Sequence, residues 1–129
     1  MTSPDDTWQN QSDSYLIINS VSTNGLITGQ YLNNSPEYHC KGTYYPVTGW
    51  QLPGTNTVTF TVKWDNPYEN CQSLTSCTGF TPGTTTINTL WQLVSNGMQS
   101  TGQIIQGSDT LQRVSDKRMK KSLVRGKGR

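Results

Sequence analysis

The chain has 129 residues, 14% of them charged, and is rich in Gly, Thr, Ser and Asn; this fits one small β-protein with many tight turns and argues against a helical bundle. The net charge of +2 is a composite: residues 1–114 hold seven acids and three bases, whereas residues 115–129 hold seven bases and one acid, so the basic character belongs to a tail. No run approaches 18 apolar residues, so no membrane-spanning helix is expected, and no leader peptide is read within the chain.

Strand signals follow one another with turn residues between them. Strands are predicted over 7–11, 14–20, 26–32, 44–50, 57–64, 73–81, 85–94 and 103–113. Asn24-Gly25 is a hairpin signal, because both residues tolerate positive φ. Leu52-Pro53-Gly54 and Thr81-Pro82-Gly83 mark two more turns, and 95–102 reads as a flexible loop. No stretch of the body has helical periodicity. Eight strands with short connections predict an all-β fold, an eight-stranded antiparallel up-and-down β-barrel that closes on itself and so leaves no sheet edge. Residues 1–6 are expected to be disordered, 7–114 to form the barrel, and 115–129 to be a flexible basic tail.

Alternation assigns the inward faces. Tyr31 and Asn33 form one set; Phe60, Val62 and Trp64 a second; Ser73, Thr75 and Cys77 a third; Thr89, Trp91 and Leu93 a fourth. These sets mix aromatics with hydroxyls. A buried hydroxyl without a partner costs about 1–3 kcal/mol, so polar groups on an inward face point to a ligand that satisfies them. Metal binding fits poorly: His39 is the only histidine and the cysteines form no C-x-x-C. His39 beside Cys40 and a lone Asp109 show no nucleophile–base spacing, so no enzyme and no catalytic residue is expected. The tail has no aromatic residue among its charges, so nucleic acid is not an expected partner.

Six segments occur in order: TWQNQSDS (7–14), GQYLN (29–33), KW (63–64), SLTSCTG (73–79), INTLWQL (87–93) and QGSDTLQRV (106–114). Together they resemble the avidin family, the biotin-binding β-barrels that include streptavidin, over about residues 7–114. The resemblance implies a non-enzymatic, high-affinity biotin binder. By motif match, Asn10, Ser14 and Tyr31 would donate to biotin's ureido oxygen, while Asn33 and Asp109 would accept from the ureido nitrogens. Thr75 would touch the sulfur, and Ser73 with the 34–43 loop would meet the carboxylate. Trp64, Trp91 and Leu93 would supply apolar walls. Taken singly, these residues have blander readings: Trp64 and Trp91 as core, Asp109 as a turn or cap residue. Asn10 and Asn33 each begin an N-x-S sequon and so read as surface glycan acceptors; the resemblance places them inside. A lipocalin-like barrel for another small ligand, with the tail as a separate interaction element, is the alternative; an apolar ligand would leave the polar ring unsatisfied.

The resemblance is to the dimeric, rhizavidin-type subgroup in particular. It implies a Cys40–Cys71 disulfide that pins the 34–43 loop over the mouth, and with it an oxidising compartment, secreted or periplasmic. The loop SNGMQSTGQ (95–103) carries no Trp to lend a neighbour, which agrees with a homodimer and leaves larger assemblies open. The tail's Met119, Leu123 and Val124 suggest docking on a neighbouring molecule. Cys77 stands where the family usually has Trp, and Trp50 where relatives often carry Arg. Tyr15, Tyr44 or Trp50 is expected to fill the space that Cys77 leaves.

Overall fold

A computed structural model describes residues 4, 6–34, 40 and 43–114. Eight strands run in chain order: β1 (Asp6–Gln9), β2 (Tyr15–Val21), β3 (Leu26–Leu32), β4 (Tyr44–Gln51), β5 (Thr57–Asn66), β6 (Cys71–Phe80), β7 (Thr86–Ser95) and β8 (Ile105–Arg113). Each pairs antiparallel with the next, and β8 pairs back onto β1 to close the barrel. The expected fold class is therefore the observed one. Among the described residues no helix is long and apolar enough to cross a membrane.

Local chemistry explains where the strands stop. β1 ends at Gln9 because the Asn10 carboxamide oxygen accepts from the backbone N–H groups of Ser12 and Ser14, both at 2.9 Å; a side-chain turn of this kind competes with a strand ladder. β5 and β6 run past their predicted ends and meet in a single 3-10 turn, Pro67–Glu69. The Asn66 side chain accepts from Tyr68 N there, and Asn70 takes the left-handed conformation. The 95–102 loop ends in a second 3-10 turn, Thr101–Gln103. Its geometry is held by Gln103, whose side-chain oxygen accepts from the backbone N–H groups of Gln99 and Ser100. The Asn24-Gly25 hairpin forms as expected. Gly25 sits at φ +94°, and a Cβ on it would lie 1.9 Å from the Gln51 carbonyl oxygen, so no other residue fits.

The up-and-down order puts the β1–β2, β3–β4, β5–β6 and β7–β8 connections at one end of the barrel. Near the opposite end Ile27, Val58, Ile87 and Leu111 are buried in one cluster and plug the interior. Strict alternation in β4 and β5 sends Tyr45, Val47, Val58, Phe60, Val62 and Trp64 inward. Pro4 is buried, and its carbonyl oxygen accepts from Trp8 Nε1 at 2.8 Å. The tail 115–129 lies outside the described residues, as do 35–39 and 41–42 of the loop expected over the mouth.

Candidate functional site

The loop-bearing end opens into a cavity of about 430 Å³. Nine of the ten residues expected to bind ligand line it: Asn10, Ser14, Tyr31, Asn33, Trp64, Thr75, Trp91, Leu93 and Asp109. Ser73 does not. It lines a polar cavity of about 220 Å³ with Asn70, Gln72, Ser95 and Asn96, beside Cys40 and Cys71.

The polar side is built from the β1–β2 loop, β3 and β8. Because the Asn10 oxygen is held by the backbone of its own turn, its NH₂ group faces the site. It donates to the Tyr31 hydroxyl at 3.1 Å and to Asp109 Oδ2 at 3.4 Å. The Tyr31 oxygen thus accepts from Asn10 and keeps its own proton to donate. Burial first, and then the charge of Asp109, push the Tyr31 hydroxyl far above the ordinary phenol range, partly offset by the Asn10 bond. It therefore stays a donor at every physiological pH. Ser14 Oγ donates to Asn33 Oδ1 at 3.0 Å and accepts from Asn34 N at 3.0 Å. Asn33 is buried, so its sequon is no surface glycan acceptor.

The apolar side is built on β5, β6 and β7. Trp64 is buried with its ring edge-on to Tyr31, centroids 5.4 Å apart, and tilted against Tyr45 at 4.9 Å. Its Nε1 donates to Thr75 Oγ1 at 2.8 Å, which fixes the indole and leaves the Thr75 proton free to point elsewhere. Phe60 and Val62 of β5, with Ile105 and Leu111 of β8, also line the cavity. Cys40 and Cys71 are joined, with Cα atoms 5.6 Å apart, so the expected disulfide is present and ties the β3–β4 connection to the first residue of β6. Cys77 is free, buried and faces the cavity. Burial first, and then the charge of Asp109, push its thiol up to about 12. None of the three aromatics expected to fill the space beside it does so. Tyr15 and Tyr44 pack with Leu32 and Val114 in a separate cluster, because alternation in β2 and β4 turns them away from the cavity. The same alternation puts Trp50 on the outer surface, 49% exposed.

Two residues that shape the site escaped the sequence. Gln11 donates from Nε2 to Asp109 Oδ1 at 2.8 Å and to Ser108 O at 3.2 Å, and its Oε1 accepts from Thr110 N. It therefore aims the carboxylate. Its only sequence signal is a place in the TWQNQSDS segment. Tyr45 backs Trp64 and accepts from Asn66 Nδ2 through its hydroxyl at 3.1 Å; the alternation of β4, which puts it inward, could have found it. Among the described residues no group of three His, Cys, Asp or Glu side chains could hold a metal ion.

Residues 1–114 match the Avidin family. The chain is 43% identical to afifavidin of Afifella pfennigii over 107 residues, a stretch that covers 81% of this chain and 65% of that protein, so less than two thirds of the relative's length is represented. Among solved structures, apo shwanavidin superposes with a TM-score of 0.80 at 39% identity, covering 88% of this chain and 98% of that one. A rhizavidin–biotin complex superposes with a TM-score of 0.74 at 38% identity, covering 88% and 94%. With the family match running through the whole barrel and the polar set, the chain belongs to the avidin family.

Proposed function

We propose that this chain is a non-enzymatic biotin-binding protein. The observation that carries the reading is one cavity with hydrogen-bonding groups of both kinds on one side and indole walls on the other. Its volume, about 430 Å³, falls in the range of small-molecule sites, roughly 300–1,000 Å³. The polar set matches a cyclic urea. Tyr31, whose oxygen accepts from Asn10, presents its proton to a carbonyl oxygen. Asn10 would turn to that oxygen the N–H it now gives Asp109, and Asp109 so released presents an acceptor to an N–H. Ser14 and Asn33 hold each other. The proton that Ser14 gives Asn33 is the one a ureido oxygen would take, and the Asn33 oxygen so released is the one a ureido N–H would need. Three donors on one carbonyl oxygen reinforce the acceptor bonds on the other edge. Trp64, Trp91 and Leu93 enclose the apolar ring, and Thr75 offers its remaining proton toward the thioether. Ser73, in the polar cavity beside the disulfide, takes the carboxylate end. The solved rhizavidin–biotin complex supports the assignment by likeness.

The barrel over 7–114, extended by Asp6 at the start of β1 and by the buried Pro4, is the binding unit. The disulfide supports an oxidising, secreted or periplasmic setting. A homodimer is favoured by the outer face of β6 and β7, where Leu74 pairs with Val94 and both are exposed together with Leu90; an apolar patch of this kind commonly marks a protein contact. Calorimetric titration with biotin, read beside tryptophan fluorescence, tests the central reading. Saturation at one biotin per chain with a change in Trp64 and Trp91 emission is expected. The absence of both heat and any rise in melting temperature would end it.

A further inference from the structure

At one level of the barrel the inward positions pair across four strands: Phe60 with Cys77, Cys77 with Trp91, and Trp91 with Gly107. A Cβ on Gly107 would lie 2.7 Å from Trp91 Cζ2 and 3.0 Å from Cε2. The indole thus rests on β8, over the bare glycine. Phe60, on the opposite side of Cys77, also lines the cavity. Cys77 is therefore the floor of a slot between two aromatic walls, a small residue where the neighbours on both strands are large. Two places before it on the same face of β6 stands Thr75. The Thr75 oxygen already accepts from Trp64 Nε1, so its hydroxyl proton is unspent; the protonated Cys77 thiol is a second, weaker donor.

Resting on the biotin reading, in which Thr75 meets the ring sulfur, we propose that Cys77 is a specificity-determining residue: the slot over it admits ligands enlarged at that sulfur, the S-oxidised forms of the biotin bicycle, as well as biotin itself. Oxidation turns a thioether, a poor acceptor, into an S=O group that needs both space and a donor. Cys77 leaves the space and Thr75 supplies the donor. A branched side chain at 77 would fill the slot from its floor and leave the ureido set untouched, since that set stands on the β1–β2 loop, the end of β3 and β8.

Competition titrations of biotin against biotin sulfoxide test this with the wild type, Cys77→Leu, the smaller change Cys77→Val, and Thr75→Val. The wild type is expected to hold the sulfoxide within about tenfold of biotin, and Cys77→Leu to widen that gap by at least about tenfold, the scale on which a hydrophobic pocket discriminates. Thr75→Val widens it through the lost donor. Continued biotin binding by the Cys77 variants reports that they are folded, a cooperative thermal melt reports it for Thr75→Val, and Cys77→Val replaces Cys77→Leu should the latter fail its check. A wild-type preference for biotin beyond about a thousandfold, or a gap that neither substitution at 77 moves, overturns the proposal. Failure of the wild type to bind biotin at all is a separate result and removes the underlying reading instead.

Discussion

β5 and β6 pair over ten residues, from Thr57 with Phe80 to Asn66 with Cys71, whereas β1 and β8 pair over two, Trp8 with Arg113 and Gln9 with Gln112. The wall is held by a long backbone ladder, the seam by a short one that side chains reinforce. At one end of the seam Arg113 donates to Asp6 at 3.0 Å and to the Thr84 carbonyl at 2.9 Å, and its guanidinium lies 4.4 Å from the Trp8 ring centroid. At the other end Gln11 bridges to Ser108, Asp109 and Thr110. The division matches the site. Apolar lining stands on the long ladders of β5, β6 and β7, while Asn10 and Asp109 stand astride the seam. The ligand's shape is thus read by the rigid part of the barrel. Its hydrogen bonds are read by the part whose order depends on a few polar contacts.

Breaking the wall gives the largest effect. Trp64→Ala removes a ring buried between Tyr31 and Tyr45 and is expected to cost about 3–5 kcal/mol in urea denaturation, the usual range for truncating a large aromatic in a core. Next comes the staple at the wall's mouth end. The disulfide joins residues 31 apart, and the double change Cys40→Ser with Cys71→Ser should cost about 2–4 kcal/mol of stability. A melting temperature equal to that of the oxidised wild type would contradict this.

The seam should respond in affinity rather than in stability. Asp109→Ala removes an acceptor that the Gln11 and Asn10 side chains hold in place, and is expected to weaken biotin by about 1.5–3 kcal/mol, the range for bonds to a charged group. Tyr31→Phe removes a neutral donor and should cost at least about 1 kcal/mol. Unchanged calorimetric affinity in both variants would refute the pocket assignment. Gln11→Ala sharpens the comparison, because Gln11 aims Asp109 without lining the cavity. Its expected effect is about 0.5–1.5 kcal/mol on biotin binding, and it should shrink toward nothing in an Asp109→Ala background, which a double-mutant cycle would read.

What could be read from the chain divides along the same line. The wall was legible because it is local: alternation from Thr57 to Trp64 and from Ser73 to Phe80 needs no knowledge of the partner strand, and Gly25 and Gly54 announce their turns. The identities of the polar set came from the resemblance to the avidin family and not from pattern. The seam stayed hidden, since Gln11 and Asp109 are separated by 98 positions, and nothing local to either says that they meet. Ser73 shows the limit of alternation. It lies on the inward-reading face of β6, yet it opens onto the polar cavity beside the disulfide. Trp50 and Tyr44 were legible but misassigned: the period of β4 already turns both away from the ligand cavity, whatever space Cys77 leaves.

The smallest effect concerns protons where the two regions meet. Cys77 on the wall and Tyr31 beside the seam both titrate above their ordinary values, each chiefly through burial and next through the charge of Asp109. A group whose folded-state pKa is raised stays protonated in the barrel while the unfolded chain loses its proton. Stability is then fully present below the unfolded values and falls as pH rises past them. For Cys77 the window opens near its ordinary value of 9.0 and extends to about 12; for Tyr31 it opens at 10.0. Between neutrality and about pH 9.5 the Cys77 share of the loss should stay below about 1 kcal/mol. Cys77→Ala deletes that share, so its stability should decline less steeply over this range than that of the wild type, whatever offset the substitution brings at pH 7. Parallel curves for the two proteins would mean that the thiol ionises as readily in the barrel as in the unfolded chain. The carboxylate that serves the ligand would then not reach across to the wall.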